Sequence, residues 1–224
     1  MKDYEAKDHY QDKSVAEEYD SQYTETLNIS NFRAQIVGRR EESAVIEMLK
    51  GIEEGGRVLD IPCGTGRYAK TLLKRGMDVI GADISEEMMD FAKKNTQSLG
   101  DMEFKVADAS NLPFMDDEFD GVLSIRLYQR IPKDVRVKML KEVSRVSKSW
   151  AILFFGMSTP WLIFRQRVRS IFIQGRANNP NAVTLKDMKK ELEEAGLQLE
   201  EYKWVFPFIA SGLVIKASVI DKSE

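Results

Sequence analysis

Val58-Leu-Asp-Ile-Pro-Cys-Gly-Thr-Gly-Arg-Tyr-Ala69 decides the fold. With Arg57 before it, the run Val58 to Ile61 reads as a buried strand, and the Gly64-x-Gly66-x-x-Ala69 turn opens a helix from about Tyr68 to Arg75. At such a junction exposed backbone N–H groups can meet a ligand, and glycine is expected because a Cβ would block the approach. Outward from this turn the pattern repeats. Met77 to Ala82 is a second strand, and Ser85 with Glu86 and Glu87 caps a helix that runs to about Ser98. Met102 to Val106 and Phe119 to Ile125 are the third and fourth strands. A helix begins at Pro132 and ends near Val146, and Trp150 to Phe155 is the fifth strand.

Further out, Asn31 to Leu49 places Phe32, Ile36, Val45, Met48 and Leu49 at helical spacing. Thr184-Leu-Lys-Asp187 has the form of a capping box with Asp in place of Glu, and that helix stops at Gly196. Leu197 to Trp204 and Gly212 to Val219 are spaced as a terminal hairpin. Strands separated by helices predict an α/β, mostly parallel sheet with helices on both faces. A terminal hairpin on such a sheet requires one antiparallel strand.

Three acids follow the first three strands. Asp83 ends the second strand and suits a ribose diol, a feature shared with nicotinamide-binding enzymes. Asp60 precedes the glycines, where a diphosphate would meet a like charge and an ammonium or sulfonium would be attracted. Asp108 lies just past the third strand and can accept from an exocyclic amine such as that of adenine. Acids at the C-terminal edge of three neighbouring strands describe a cationic nucleoside.

LDIPCGTGRYA, GADISEEMMDFA, VADASNLPF and FDGVLSIRLYQRIP, in that order, resemble the class I S-adenosylmethionine-dependent methyltransferases, closely over about residues 55–155 and loosely through 219. The resemblance implies a Rossmann-like seven-stranded sheet of order 3-2-1-4-5-7-6 with strand seven antiparallel. It implies that Asp60 and the Pro62–Gly66 backbone, with Gly64 and Gly66, hold the methionine end of S-adenosyl-L-methionine. Asp83 and Ile84 are implied at the ribose and adenine side, Asp108 and Ala109 at the adenine, and Ile125 and Arg126 beneath the cofactor. Met88 is spaced to reach the adenine pocket. Metal is not called for. Many small-molecule members carry a histidine pair after strand four, whereas this chain reads Leu127-Tyr-Gln-Arg-Ile131. Tyr128 and Arg130 are therefore candidates for acceptor contact, and the sole histidine, His9, is the only histidine available as a base.

The chain has 224 residues and a net charge of −3, with Cys63 its only cysteine. These values predict one cytoplasmic domain without an intramolecular disulfide and argue against a nucleic-acid partner. The start, MKDYEAKDHYQDK, has no apolar core and is not expected to be a signal peptide. Residues 1–30 carry Tyr4, Tyr10, Tyr19 and Tyr23 and are expected to form an arm or lid on the domain 31–224. A helical insertion is expected at about 157–180. The stretch 143–186 holds Arg145, Lys148, Arg165, Arg167, Arg169, Arg176 and Lys186 without a single Asp or Glu. Within it, Trp161, Phe164, Val168, Ile171 and Phe172 share one helical arc. This suggests a small-molecule acceptor that is anionic, partly apolar or both, or peripheral membrane contact through 161–173. Alternatives are a non-catalytic sensor or scaffold that binds S-adenosylmethionine or S-adenosylhomocysteine, an NAD-dependent oxidoreductase, and, more distantly, an aminopropyl transferase. The oligomeric state is open.

Overall fold

The computed structural model describes residues 29–100, 102–161, 163–164, 181–206 and 212–220, with only the backbone for 29–34. The expected arm at 1–30 falls almost wholly outside these residues, as do its tyrosines, His9 and most of the insertion. The chain begins with α1 (Ile29–Leu49) and then alternates through β1 (Arg57–Asp60), α2 (Ala69–Leu73), β2 (Asp78–Asp83), α3 (Glu86–Thr96), β3 (Glu103–Val106) and β4 (Phe119–Ser124). A 3₁₀ turn at Tyr128–Arg130 leads to α4 (Lys133–Val146), β5 (Ser147–Gly156), α5 (Leu185–Glu194), β6 (Leu197–Trp204) and β7 (Gly212–Val219).

The seven strands form one sheet of order β3-β2-β1-β4-β5-β7-β6. All neighbours from β3 to β5 pair in parallel, and β7 runs antiparallel to both β5 and β6. This is the order and strand direction that the sequence motifs implied. Asp60 lies opposite Gly81 of β2 and Leu123 of β4, so the ends of β1, β2 and β4 emerge on one edge.

Period-two alternation sorts the strands between two cores. Leu59, Val122, Leu153 and Phe155 face α4 and α5, while Val58, Leu123, Ile152 and Phe154 face α1 and α2. Each fully buried aliphatic or aromatic side chain contributes roughly 1.5–3 kcal/mol relative to exposure. The outer strands are charged: β3 carries Glu103 and Lys105, and β6 carries Glu200, Glu201 and Lys203.

Several details differ from the sequence expectation. The strand β5 starts at Ser147 rather than Trp150, because α4 passes into it without a loop; the Ser147 hydroxyl donates to the Trp150 carbonyl at 2.8 Å. Pro132 is the N-cap of α4 rather than its first residue. Ile36 is exposed, whereas the expected Val45, Met48 and Leu49 are buried, together with Ala44. Among the described residues, no helix is long and apolar enough to cross a membrane.

Candidate cofactor site

Asp60 is the last residue of β1 and is 1% exposed. Among the described residues, neither of its carboxylate oxygens has a hydrogen-bond partner. Burial, and then the nearby charge of Asp83, push its carboxyl well above the usual carboxylate range. An unpaired buried carboxylate costs several kcal/mol, and a donor from outside the protein would remove that cost.

Asp83 ends β2 and is also buried, but its oxygens are occupied. Oδ2 accepts from the Gly64 N–H at 2.9 Å and Oδ1 from the Ser85 N–H at 3.0 Å. Burial pushes this carboxyl up, while the backbone donors of Ser85, Gly64 and Ile84 pull it back. Each oxygen still has a lone pair for a second donor. Ser85 caps α3 by accepting from the Met88 N–H at 3.2 Å, so one short stretch fixes the Asp83 carboxylate and starts the helix.

The two glycines of the loop do different work. Gly64 has φ +52°, and an added Cβ would meet nothing within 4 Å. It lines open space, as a cradle for a ligand requires. Gly66 has φ +79°, and its Cβ would lie 3.0 Å from Thr96 Cγ2 and 3.3 Å from the Ala92 backbone. At Gly66 the missing side chain lets the loop close on α3. Asn95 reinforces this contact by donating to the Thr65 carbonyl at 3.1 Å. Cys63, packed on Met89 and Ala92, is a filler whose thiol is pushed up by burial and by both aspartates.

The remaining cofactor candidates lie along the same edge. Pro62 and Ile84 are half-buried, and Met88 is buried one turn into α3. Asp108 follows β3 and accepts from the Ser110 N–H at 2.8 Å, which shapes a turn that leaves it half-buried beside buried Ala109. Ile125 and Arg126 follow β4 directly. Ile125 is buried, and Arg126 takes φ +66°.

The acceptor candidates separate. Tyr128 is buried and stacked on Phe155 of β5, centroids 5.3 Å apart at 16°. Burial pushes its phenol well above the ordinary range; Ser124 offsets part of this, although the two hydroxyls do not meet in hydrogen-bonding geometry. Such a phenol is no base near neutrality. Arg130 is exposed beside it. His9 lies outside the described residues.

The basic stretch is also partly committed. Arg145 bonds Glu142, Asp116 and the carbonyls of Leu112 and Phe114, pinning the loop after β3, and Lys148 bonds Asp120. The insertion leaves from the ligand edge. Ser158 N–H donates to the Val183 carbonyl at 2.8 Å and Val183 N–H to the Gly156 carbonyl at 3.0 Å, closing its base. Trp161 and Phe164, exposed, face each other at 6.1 Å where the insertion starts. Arg165 to Phe172 lie outside the described residues.

Two residues escaped the sequence reading. Glu41 of α1 is buried and receives Tyr68 Oη at 2.7 Å, Arg67 at 3.2 Å and Arg126 Nε at 2.9 Å. It falls on the buried stripe with Ala44, Val45 and Met48, and an acid on an apolar helix face was the available signal. Arg136 of α4 makes a buried bidentate pair with Glu191 of α5 at 2.6 and 2.8 Å. It also donates to the carbonyls of Ile131 and Asn181, tying the turn after β4 to the return of the insertion.

The strand order and directions match the Rossmann-like fold of class I S-adenosylmethionine-dependent methyltransferases, and three acids lie along one edge of the sheet. Residues 58–149 match the family model described as a methyltransferase domain. The demethylmenaquinone methyltransferase of Staphylococcus saprophyticus is 32% identical over 137 residues, which is 60% of this chain and 56% of that protein. The biotin biosynthesis bifunctional protein BioHC of Teredinibacter turnerae is 27% identical over 208 residues, 88% of this chain and 34% of that one. The chain thus spans between 34% and 56% of these curated relatives. In fold it is similar to the magnesium protoporphyrin IX methyltransferase of Synechocystis solved with S-adenosylhomocysteine bound. That likeness has TM-score 0.81 and 19% identity and covers 96% of this chain and 98% of the other. Unpartnered Asp60 and the open space at Gly64 fit S-adenosylmethionine, the methyl donor of this class.

Proposed function

We propose that the chain transfers a methyl group from S-adenosylmethionine to a small-molecule acceptor that is anionic, partly apolar or both. The observation that carries this reading is Asp60, a buried carboxylate without a partner, beside a glycine whose missing side chain leaves open space. An ammonium of the cofactor's methionine end would give Asp60 charge-assisted hydrogen bonds. A diphosphate would be repelled from the same place, which disfavours a nicotinamide cofactor.

When bound, S-adenosylmethionine supplies a methyl group on a sulfonium that is already an activated leaving group. The chain's own residues bind, orient and exclude water. Asp83, fixed by the Gly64 and Ser85 N–H groups, has lone pairs for ribose hydroxyls. Asp108 is set to accept from the adenine amine. The acceptor would enter between the turn at Tyr128–Arg130 and the insertion, which leaves β5 on the cofactor edge with Trp161 and Phe164 exposed at its start. Relatives named for demethylmenaquinone and magnesium protoporphyrin IX are in keeping with an acceptor that has a large apolar part.

Titration calorimetry with S-adenosylmethionine, S-adenosylhomocysteine and NAD tests the donor. The first two alone are expected to bind, with affinity at least about tenfold weaker in Asp83→Ala, the loss of a hydrogen bond to a charged group. Binding of NAD alone would overturn the reading. For the acceptor, isotopically labelled methyl groups should pass to quinols, porphyrin carboxylates or phenolic acids. Transfer confined to cationic amines would refute the acceptor class.

A further inference from the structure

A charge pair lies inside the apolar layer that α4 and α5 lay over the sheet. Arg136 of α4 is 2% exposed and Glu191 of α5 is 1% exposed, on helices whose Met139, Leu140, Met188 and Leu192 are buried beside them. Glu191 occupies only part of the guanidinium. Nε and Nη2 donate to its two oxygens at 2.6 and 2.8 Å. Nη1 donates instead to main-chain carbonyls, that of Ile131 at 2.8 Å, that of Asn181 at 3.1 Å and, more distantly, that of Tyr128 at 3.5 Å. Stability alone does not call for this arrangement, because apolar side chains of similar volume can replace a buried ion pair at little or no loss. What they cannot replace is a planar fork that holds a carboxylate on one side and two remote stretches of main chain on the other.

We propose that Arg136 is a positioning residue for the acceptor. By binding the Ile131 and Asn181 carbonyls with one nitrogen, it sets the distance between the turn after β4 and the return of the insertion. The proposal rests on the reading above that the acceptor enters between these two segments, and it names what holds them in place. The other ties of each segment lead to the same strand. The Tyr128 ring stacks on Phe155 of β5, and the Val183 N–H donates to the carbonyl of Gly156, the last residue of β5. In-line methyl transfer depends on alignment, and a shift of about 1 Å can cost about a hundredfold in rate. The cofactor side is held separately: Asp83 is fixed by the Gly64 and Ser85 N–H groups, which have no bond to Arg136.

The test uses Arg136→Met combined with Glu191→Leu, which strands no charge. Naphthoquinol, protoporphyrin and salicylate serve as acceptor probes, with methyl-labelled S-adenosylmethionine as donor. The double variant should fold and bind S-adenosylmethionine within about twofold of wild type, yet lose at least about tenfold in kcat on the probe that wild type methylates. Amide exchange at Ile131 and Val183, whose N–H groups bond the Tyr128 and Gly156 carbonyls, should quicken about tenfold, while exchange at Ile61 and Ala107 should not change. Wild type that methylates none of the probes overturns the acceptor reading, and this proposal with it. With an active wild type, unchanged transfer or unchanged exchange at Ile131 and Val183 overturns the proposal alone. So does an equal loss of cofactor affinity, which would make Arg136 a general support of the fold. Should the double variant not fold, Arg136→Lys, which keeps the charge beside Glu191 but lacks the fork, carries the test by the same readings.

Discussion

Replacing Asp60 by Asn should make the ligand-free protein more stable and the cofactor site useless. The native carboxyl is 1% exposed with neither oxygen partnered, and burial together with Asp83 raises its proton affinity in the folded state. The folded chain therefore keeps that proton at pH values where the unfolded chain has released it. Stability falls as pH rises from the unfolded carboxylate range through the folded value, and the penalty is fully present above that value. Asn carries no charge, although its amide N–H groups would also be without partners. The expected gain near neutral pH is about 1–3 kcal/mol, and for a chain this size each kcal/mol moves the melting temperature by roughly 2–4 °C. Below about pH 3.9, where Asp is neutral even when unfolded, the advantage should vanish. S-adenosylmethionine at a hundredfold excess over its Kd should stabilise wild type by about 2.7 kcal/mol and the Asn variant very little. In melting experiments ligand should therefore raise wild type relative to the Asn variant by about 2.7 kcal/mol, enough to close or reverse the gap. An Asn variant that melts below wild type at every pH without ligand, or that S-adenosylmethionine stabilises equally, would refute the reasoning.

Gly66→Ala should destabilise the fold by about 2–4 kcal/mol, through the positive φ and the contact with Thr96 and Ala92. Gly64→Ala should cost only about 1–2 kcal/mol of backbone strain while weakening cofactor binding disproportionately. Thermal melts beside calorimetry check the pair, and equal stability losses would contradict the division of labour. Arg136→Met should cost about 3–5 kcal/mol by stranding Glu191, and Glu191→Leu added to it should recover much of the loss. Denaturant unfolding decides this, and an additive double variant would deny the coupling. Gly121→Ala, whose Cβ would sit 2.0 Å from the Trp150 ring, should be severely destabilised and partly rescued by Trp150→Leu. Chemical denaturation of the double variant reads out the rescue, and a Gly121→Ala as stable as wild type would refute the packing argument.

The sheet and its ligand edge could be read from the sequence because the signals are local. Leu197–Trp204 and Gly212–Val219 are short runs joined by a short loop, and the structure reproduces both strands with those bounds. Ser85 and Thr184 announced helix starts through side chains that bond within three residues. What sequence reasoning missed is non-local. Glu41 takes its partners 26, 27 and 85 positions away, and the run Arg39-Arg-Glu-Glu42 looks like solvated helix surface. Tyr128 stood out because it follows strand four where many similar enzymes carry a histidine pair, and its stacking on Phe155 of another strand is a contact the local sequence does not show. Gly66 belonged to a ligand motif, and only the approach of α3 shows that helix packing demands the glycine.

The two rims of the sheet bear on how this chain behaves at high concentration. Among the described residues, β3 and β6 are the edge strands of the sheet, and both carry charges. A strand from another molecule added at either rim would have to desolvate these groups beside its own backbone. Glu103 and Lys105 on one side, and Glu200, Glu201 and Lys203 on the other, therefore act as guards against sheet-to-sheet polymerisation. Engineering that neutralises them to gain surface hydrophobicity would open a route to fibrous aggregation while leaving the cofactor edge intact.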